Sequence, residues 1–125
     1  SDQERIKSKI LAADPKKWWG DDFDVRFYLI SQLKKCKNKK ILDLGGGIGI
    51  ISSEIEKNNY CVNLDLSLRD LKLCKNIAIN TNTICSSMAN IPFRESSFDI
   101  IICANLIEVA KELDLKNLKF PKNLS

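Results

Sequence analysis

The sequence predicts an α/β fold, an open, mostly parallel sheet with helices on both faces, and three observations predict it. Apolar runs of strand length alternate with stretches of helical period along residues 40–104, which implies a parallel sheet joined by right-handed crossovers. Residues 41–50 read Ile-Leu-Asp-Leu-Gly-Gly-Gly-Ile-Gly-Ile. This is a buried strand running through a tight glycine turn into a helix, the place where open α/β sheets bind ligands. Finally, Ile100-Ile101-Ile102-Cys103 is apolar on both faces of any strand it forms, as expected of a central, doubly covered strand.

Taken in order, residues 3–13 place Ile6, Ile10, Leu11 and Ala13 on one helical face and predict a short amphipathic helix. Asp14-Pro15 ends it, because the residue before proline is pushed out of the helical region. Trp18-Trp19-Gly20 follows, and Asp21 or Asp22 caps a second helix reaching about Cys36, with Phe23, Phe27, Ile30 and Leu33 near the helical period and Val25 and Leu29 beside them. Residues 1–38 are thus read as a helical lid and 39–125 as the sheet domain. Within the latter, Lys40–Leu44 is a strand and 48–58 a helix with Ile50, Ile51 and Ile55 turned inward. Next come a strand over 60–66 and a helix over 67–80, capped by Ser67 with Asp70 three residues on, a capping box with aspartate in place of glutamate. A short strand over 83–86, a polar loop over 90–97, a strand over 98–104 and a helix over 105–115 complete the series, and 116–125 has no clear period.

Composition narrows the chemistry. At 125 residues the chain suits one domain, and no apolar run approaches the roughly 20 residues that span a bilayer. The polar N-terminus shows no secretory pattern. Five cysteines with no C-x-x-C pair and no histidine argue against a zinc site, and the missing imidazole excludes Ser-His-Asp and Cys-His catalysis. Cys61, Cys85 and Cys103 lie in or beside apolar runs and are expected to be buried thiols in a reducing cytoplasm. The net charge of +4 owes much to Lys34-Lys35-Cys36-Lys37-Asn38-Lys39-Lys40. That segment enters its strand at the N-terminal end, whereas ligands gather at the carboxyl ends, so a solvated loop is favoured over a nucleic-acid surface.

The glycine run, Asp43-x-Gly45-x-Gly47-x-Gly49 with Gly46 inside it, resembles the cofactor loop of class I S-adenosylmethionine-dependent methyltransferases, whose fold is Rossmann-like. A nicotinamide loop would be spaced G-x-G-x-x-G; starting from Gly45 and Gly47, its third glycine would fall on Ile50, and starting from Gly46 it fails at Ile48. An acid directly before the loop also suits a cationic ligand better than a pyrophosphate. The resemblance covers about 39–109, with three motifs in order, and implies S-adenosylmethionine as cofactor. The helix N-terminus near Gly49 would take its carboxylate, Asp43 its ammonium, and Asp65, ending the strand over 60–66, both ribose hydroxyls. Leu66 would flank the adenine. Ser86-Ser87-Met88-Ala89-Asn90-Ile91-Pro92-Phe93 is similar to the family's Gly-Asp-Ala-x-x-Leu-Pro-Phe, with Ser87 where an aspartate usually accepts from the adenine amino group and the Met88 N–H beside a ring nitrogen. Asp99 begins its strand and is read as structural. Asn105 follows the last strand and is a candidate contact, with helix capping as its alternative role.

The family's domain continues beyond its fourth strand, so the resemblance implies that the C-terminal strands are missing from this sequence. Three expectations follow: a piece of a longer domain, pairing of the strand over 98–104 with a second subunit, or a half-domain that binds without catalysing. The expected activity is methyl transfer to an unidentified acceptor, a small molecule being slightly favoured. A non-catalytic cofactor-binding module or subunit is the alternative. The tryptophans and Phe27-Tyr28 are read as lid packing, with cofactor cover as the second role.

Overall fold

The computed structural model describes residues 9–12 and 25–103. Strands β1 (Lys9–Ala12), β2 (Lys40–Leu44), β3 (Tyr60–Asp65), β4 (Asn82–Cys85) and β5 (Ile100–Cys103) alternate with helices α1 (Val25–Leu33), α2 (Ile50–Ile55) and α3 (Leu68–Ile77), and a 3-10 turn spans Glu95–Ser97. The sheet order is β1-β5-β2-β3-β4, and every neighbouring pair is parallel. Steps β2-α2-β3 and β3-α3-β4 move in one direction; the chain then returns to lay β5 on the far side of β2. The order reverses between β2 and β5, the topological switch point where open sheets leave a crevice at their carboxyl ends.

Register fixes which side chains share a face. Asp43 is aligned with Asn63 on one side and Ile102 on the other. Ile41, Cys61, Ile100 and Ile102 form one core with Leu29, Ile30 and Leu33 of α1 and Ile51 and Ile55 of α2. The alternate residues Leu42, Leu44, Val62, Leu64, Ile101 and Cys103 form a second core on the other face, roofed by Ile91 and Phe98 with Met88 and Phe93 packed against it. Phe93 and Phe98 meet edge to face at 5.1 Å. The three described helices thus share one face, and the loop between β4 and β5 covers the other; the helix expected over 105–115 lies outside the described residues.

Four local expectations are corrected. Lys9–Ala12 is a strand rather than part of a helix, because β5 offers a full parallel edge, and four ladder positions outweigh a weak local period. The edge that prompted intermolecular pairing of the last strand is therefore occupied by the chain's own β1. Phe27 is 73% exposed; at 100° per residue it sits roughly 120° around α1 from Leu33, off the stripe that meets the sheet. Ile50 lies at the surface while Ile51, Ser52 and Ile55 are buried. Cys85 ends an edge strand and is exposed, whereas Cys61, Cys74 and Cys103 are buried. Burial pushes the Cys61 thiol up to about 12 and Cys103 to about 11, so both are unreactive. Residues 1–8, 13–24 and 104–125, with the tryptophans and the Asp21 or Asp22 cap, lie outside the described residues.

If β1 is what closes the β5 edge, removing its ladder bonds should reopen it. Ile10→Pro and Leu11→Pro sample both phases of the ladder, and one of them should cost about 1–3 kcal/mol through unmade backbone bonds. That variant should also self-associate in sedimentation velocity; two monomeric variants of unchanged stability would contradict the pairing.

Candidate functional site

The glycine turn joins β2 to α2, and its backbone is left-handed at Gly45 (φ 71°), Gly47 (φ 57°) and Gly49 (φ 86°). Only glycine enters that region without a Cβ penalty. Gly49 is constrained twice, because a Cβ there would lie 2.5 Å from Cys74 Sγ and 3.2 Å from the Ala78 Cβ of the α3 terminus. At Gly46 a Cβ would collide with Asn63 Oδ1 and lie 2.5 Å from Asp43 Oδ2. The turn is therefore pressed against β2 and β3 at Gly46 and against α3 at Gly49, whereas at Gly45 and Gly47 there is space for a Cβ and the left-handed φ alone selects glycine.

Strand β3 holds the turn at one residue. The Gly47 N–H donates to Asp65 Oδ2 at 2.9 Å, and the Gly47 carbonyl accepts from Asn63 Nδ2 at 2.8 Å. Asp65 Oδ1 accepts from the Ser67 N–H at 2.9 Å, so one carboxylate ties the glycine turn to the entry of α3. Ser67 Oγ in turn accepts from the Asp70 N–H at 3.2 Å. Half of the expected capping box is thus present, while the Ser67 N–H is taken by Asp65. Asn63 escaped the sequence reading; its signal was a lone amide in an otherwise apolar strand, aligned with an acid.

Asp43 is 1% exposed, and neither of its carboxylate oxygens has a hydrogen-bond partner. Asn63 Oδ1 is likewise unpartnered. Burial first, and the Asp65 charge second, raise the Asp43 carboxyl from its ordinary 3.8 to about 7. Such a group, buried without a donor, is held neutral or awaits a cation.

The remaining candidates surround the same mouth. Leu66, next to Asp65, is 68% exposed. Ser87 Oγ accepts from the Ala89 N–H at 3.0 Å, and its carbonyl accepts from the Asn90 N–H. The Met88 methyl lies 4.0 Å from where a Gly45 Cβ would stand, which brings the loop after β4 against the glycine turn. Asp43, Gly45, Gly46, Gly47, Gly49, Asp65, Leu66, Ser87 and Met88 therefore gather at the carboxyl ends of β2, β3 and β4; Asn105 lies outside the described residues. Asp99 is at the other end, where its Oδ2 accepts from the Lys40 N–H at 2.9 Å and fastens β5 to β2. Lys37, Lys39, Lys40 and Lys57 line a cleft of about 700 Å³ at that same end, away from the glycine turn. No helix among the described residues is long and apolar enough to cross a membrane.

Two measurements probe this geometry. The folded protein holds the Asp43 proton up to about pH 7, whereas an ordinary carboxyl releases it near 3.8. The folded state binds more protons in that window, so its stability should fall as pH rises through it, by roughly 1 kcal/mol per pH unit, and level off above. Denaturant titrations from pH 5 to 8 should show this slope, and Asp43→Asn should flatten it; the same slope in both proteins would contradict the assignment. Gly49→Ala should destabilise by about 1–3 kcal/mol through clash and backbone strain. Adding Cys74→Ala should restore only part of that loss, because the left-handed φ remains.

Comparison with known proteins agrees with this architecture. The sequence profile of the methyltransferase domain family matches residues 42–118. An uncharacterised protein of Methanocaldococcus jannaschii is 34% identical over 88 residues, 68% of this chain and 37% of that protein. A ubiquinone biosynthesis O-methyltransferase of Coxiella burnetii is 33% identical over 89 residues, 67% of this chain and 38% of that enzyme. The chain thus spans less than two fifths of the curated relatives it matches. Among solved structures, phosphoethanolamine N-methyltransferase 1 of Haemonchus contortus, in complex with phosphoethanolamine and S-adenosylhomocysteine, shares the fold with a TM-score of 0.56 at 18% identity, over 62% of this chain and 18% of that one. A profile match over more than half of the sequence, on a parallel sheet with its glycine turn beside the switch point, shows that the chain belongs to the methyltransferase domain family.

Proposed function

We propose that the chain is the cofactor-binding part of an S-adenosylmethionine-dependent methyltransferase, working in the cytoplasm on a small-molecule acceptor of unidentified structure. One observation carries the reading: a buried carboxylate with no donor, Asp43, lies directly beneath a glycine turn and beside a second, half-buried carboxylate, Asp65. The residues fit the cofactor's chemistry. Asp43 is a counter-charge for an ammonium that comes close over Gly46. Each Asp65 oxygen already accepts one backbone N–H and keeps a further lone pair. Those lone pairs suit a vicinal diol, and the existing bonds hold the carboxylate still. Exposed Leu66 offers an apolar surface to a base, and the loop at Ser87 and Met88 offers the opposite wall.

When bound, the cofactor supplies a methyl group already activated on a sulfonium. No acid or base is therefore demanded of the chain, which agrees with the absence of histidine. The protein's contribution is alignment and exclusion of water, and such positioning supplies up to roughly 7–11 kcal/mol of a barrier. The second reading, a non-catalytic binding subunit, is favoured by Ser87. Its hydroxyl oxygen is engaged by Ala89 and brings no charge to base recognition.

Calorimetry with S-adenosylhomocysteine and with NAD tests the reading: the first should bind and the second should not. Asp65→Ala should weaken S-adenosylhomocysteine by about 1–3 kcal/mol; unchanged affinity would remove Asp65 from the site. Transfer of a radiolabelled methyl group to small metabolites separates the enzyme from the binding subunit.

A further inference from the structure

We propose that in the ligand-free protein Asp43 and Asn63 hold one proton between them, with the Asp43 carboxyl donating to Asn63 Oδ1, and that a cationic ligand over the glycine turn expels this proton to solvent. Identifying the cation as the cofactor's ammonium rests on the function proposed above; the proton itself does not.

Three buried acceptor atoms converge here with no donor: both oxygens of Asp43 and the Oδ1 of Asn63. The two side chains are aligned neighbours on β2 and β3 and point to the same face. Asn63 Oδ1 and Asp43 Oδ2 both press on the point where Gly46 would carry a Cβ. The amide cannot turn over to supply a donor, because its Nδ2 is committed to the Gly47 carbonyl at 2.8 Å and a flip would set two oxygens face to face. Buried acceptors rarely go unmatched, and a single proton on Asp43 satisfies two of these three atoms at once.

Among the described residues, the titratable groups around the pair bring no positive charge. From β3 the site faces Asp65, a second negative charge, and Cys61; β5 presents Ile102 to it, with Cys103 on the opposite face; from α3 it faces Cys74, whose sulfur accepts from Asn63 Nδ2 at 3.4 Å. Glu56, after α2, also raises the Cys61 and Cys74 thiols and is bonded to Asn80 and Thr81. The α1 residues in this core are Leu29, Ile30 and Leu33, with Tyr28 and Cys36 packed against it. Every described charge near Asp43 is therefore negative and favours the neutral acid, in line with its rise to about 7. An arriving ammonium reverses the balance: the Asp43 O–H bond breaks, its proton leaves to buffer, and the buried carboxylate's charge is balanced across the glycine turn by the ammonium, which keeps its own protons.

Two experiments on the chain decide this. In the ligand-free protein, the carboxyl carbon resonance that Asp43→Asn abolishes should titrate near neutrality; an Asp43 ionised throughout from pH 5 upward would overturn the proposal. Calorimetry with S-adenosylhomocysteine at pH 6, in buffers of different ionisation enthalpy, should count close to one proton released per ligand. Affinity should be about tenfold weaker at pH 6 than at pH 8. Binding without proton release and with flat affinity would overturn the expulsion step. Failure of S-adenosylhomocysteine to bind would instead overturn the cofactor assignment, and the carboxyl titration would still decide the shared proton.

Discussion

Gly47 is held at both of its backbone polar atoms by side chains of a single neighbouring strand, and the site is organised around that pair of bonds. Asp65 takes the N–H and Asn63 gives to the carbonyl. The two residues stand two apart on β3 and so face the same way. A turn clamped at its middle residue cannot swing its amides, and the positive φ values on either side are held by this clamp together with the packing at Gly49. Glycine permits the conformation, but the neighbouring strand imposes it.

The same clamp explains the isolation of Asp43. Because Asn63 spends its donor on the turn, its oxygen is left facing the adjacent acid across the sheet, and the turn seals both from water. The charge distribution follows from the topology. Acids end β2 and β3 at the carboxyl edge, whereas lysines crowd the opposite edge, where Asp99 fastens β5 to β2 through Lys40. The sheet thus separates an acidic edge from a basic one.

Much of this was legible beforehand, for identifiable reasons. The glycine spacing, Asp43 and Asp65 were readable because each is a polar or flexible residue at the end of an apolar run, where a chain has no structural need of it. Ser67 was readable as a cap because the bond it makes is local. Asn63 was not, since its meaning depends on alignment with Asp43, a fact of register. The Lys9–Ala12 strand was hidden for a related reason: Ile6, Ile10, Leu11 and Ala13 carry a passable helical period, and only the free side of β5 makes strand the better state. Phe27 and Ile50 were misjudged because a period identifies a stripe but not its centre. Residues 1–8 and 13–24 of the lid and Asn105 lie outside the described residues.

The loop from Ser87 to Phe98 has a double employment. Its Ile91 and Phe98 close the second core, with Met88 and Phe93 packed beneath, while Met88 also reaches the glycine turn at Gly45. Under the proposed function, selection for a different base or nucleoside acts on the same dozen residues that close one half of the interior. In such a scaffold ligand preference cannot drift freely, because changes at the mouth are transmitted straight into the packing of the sheet.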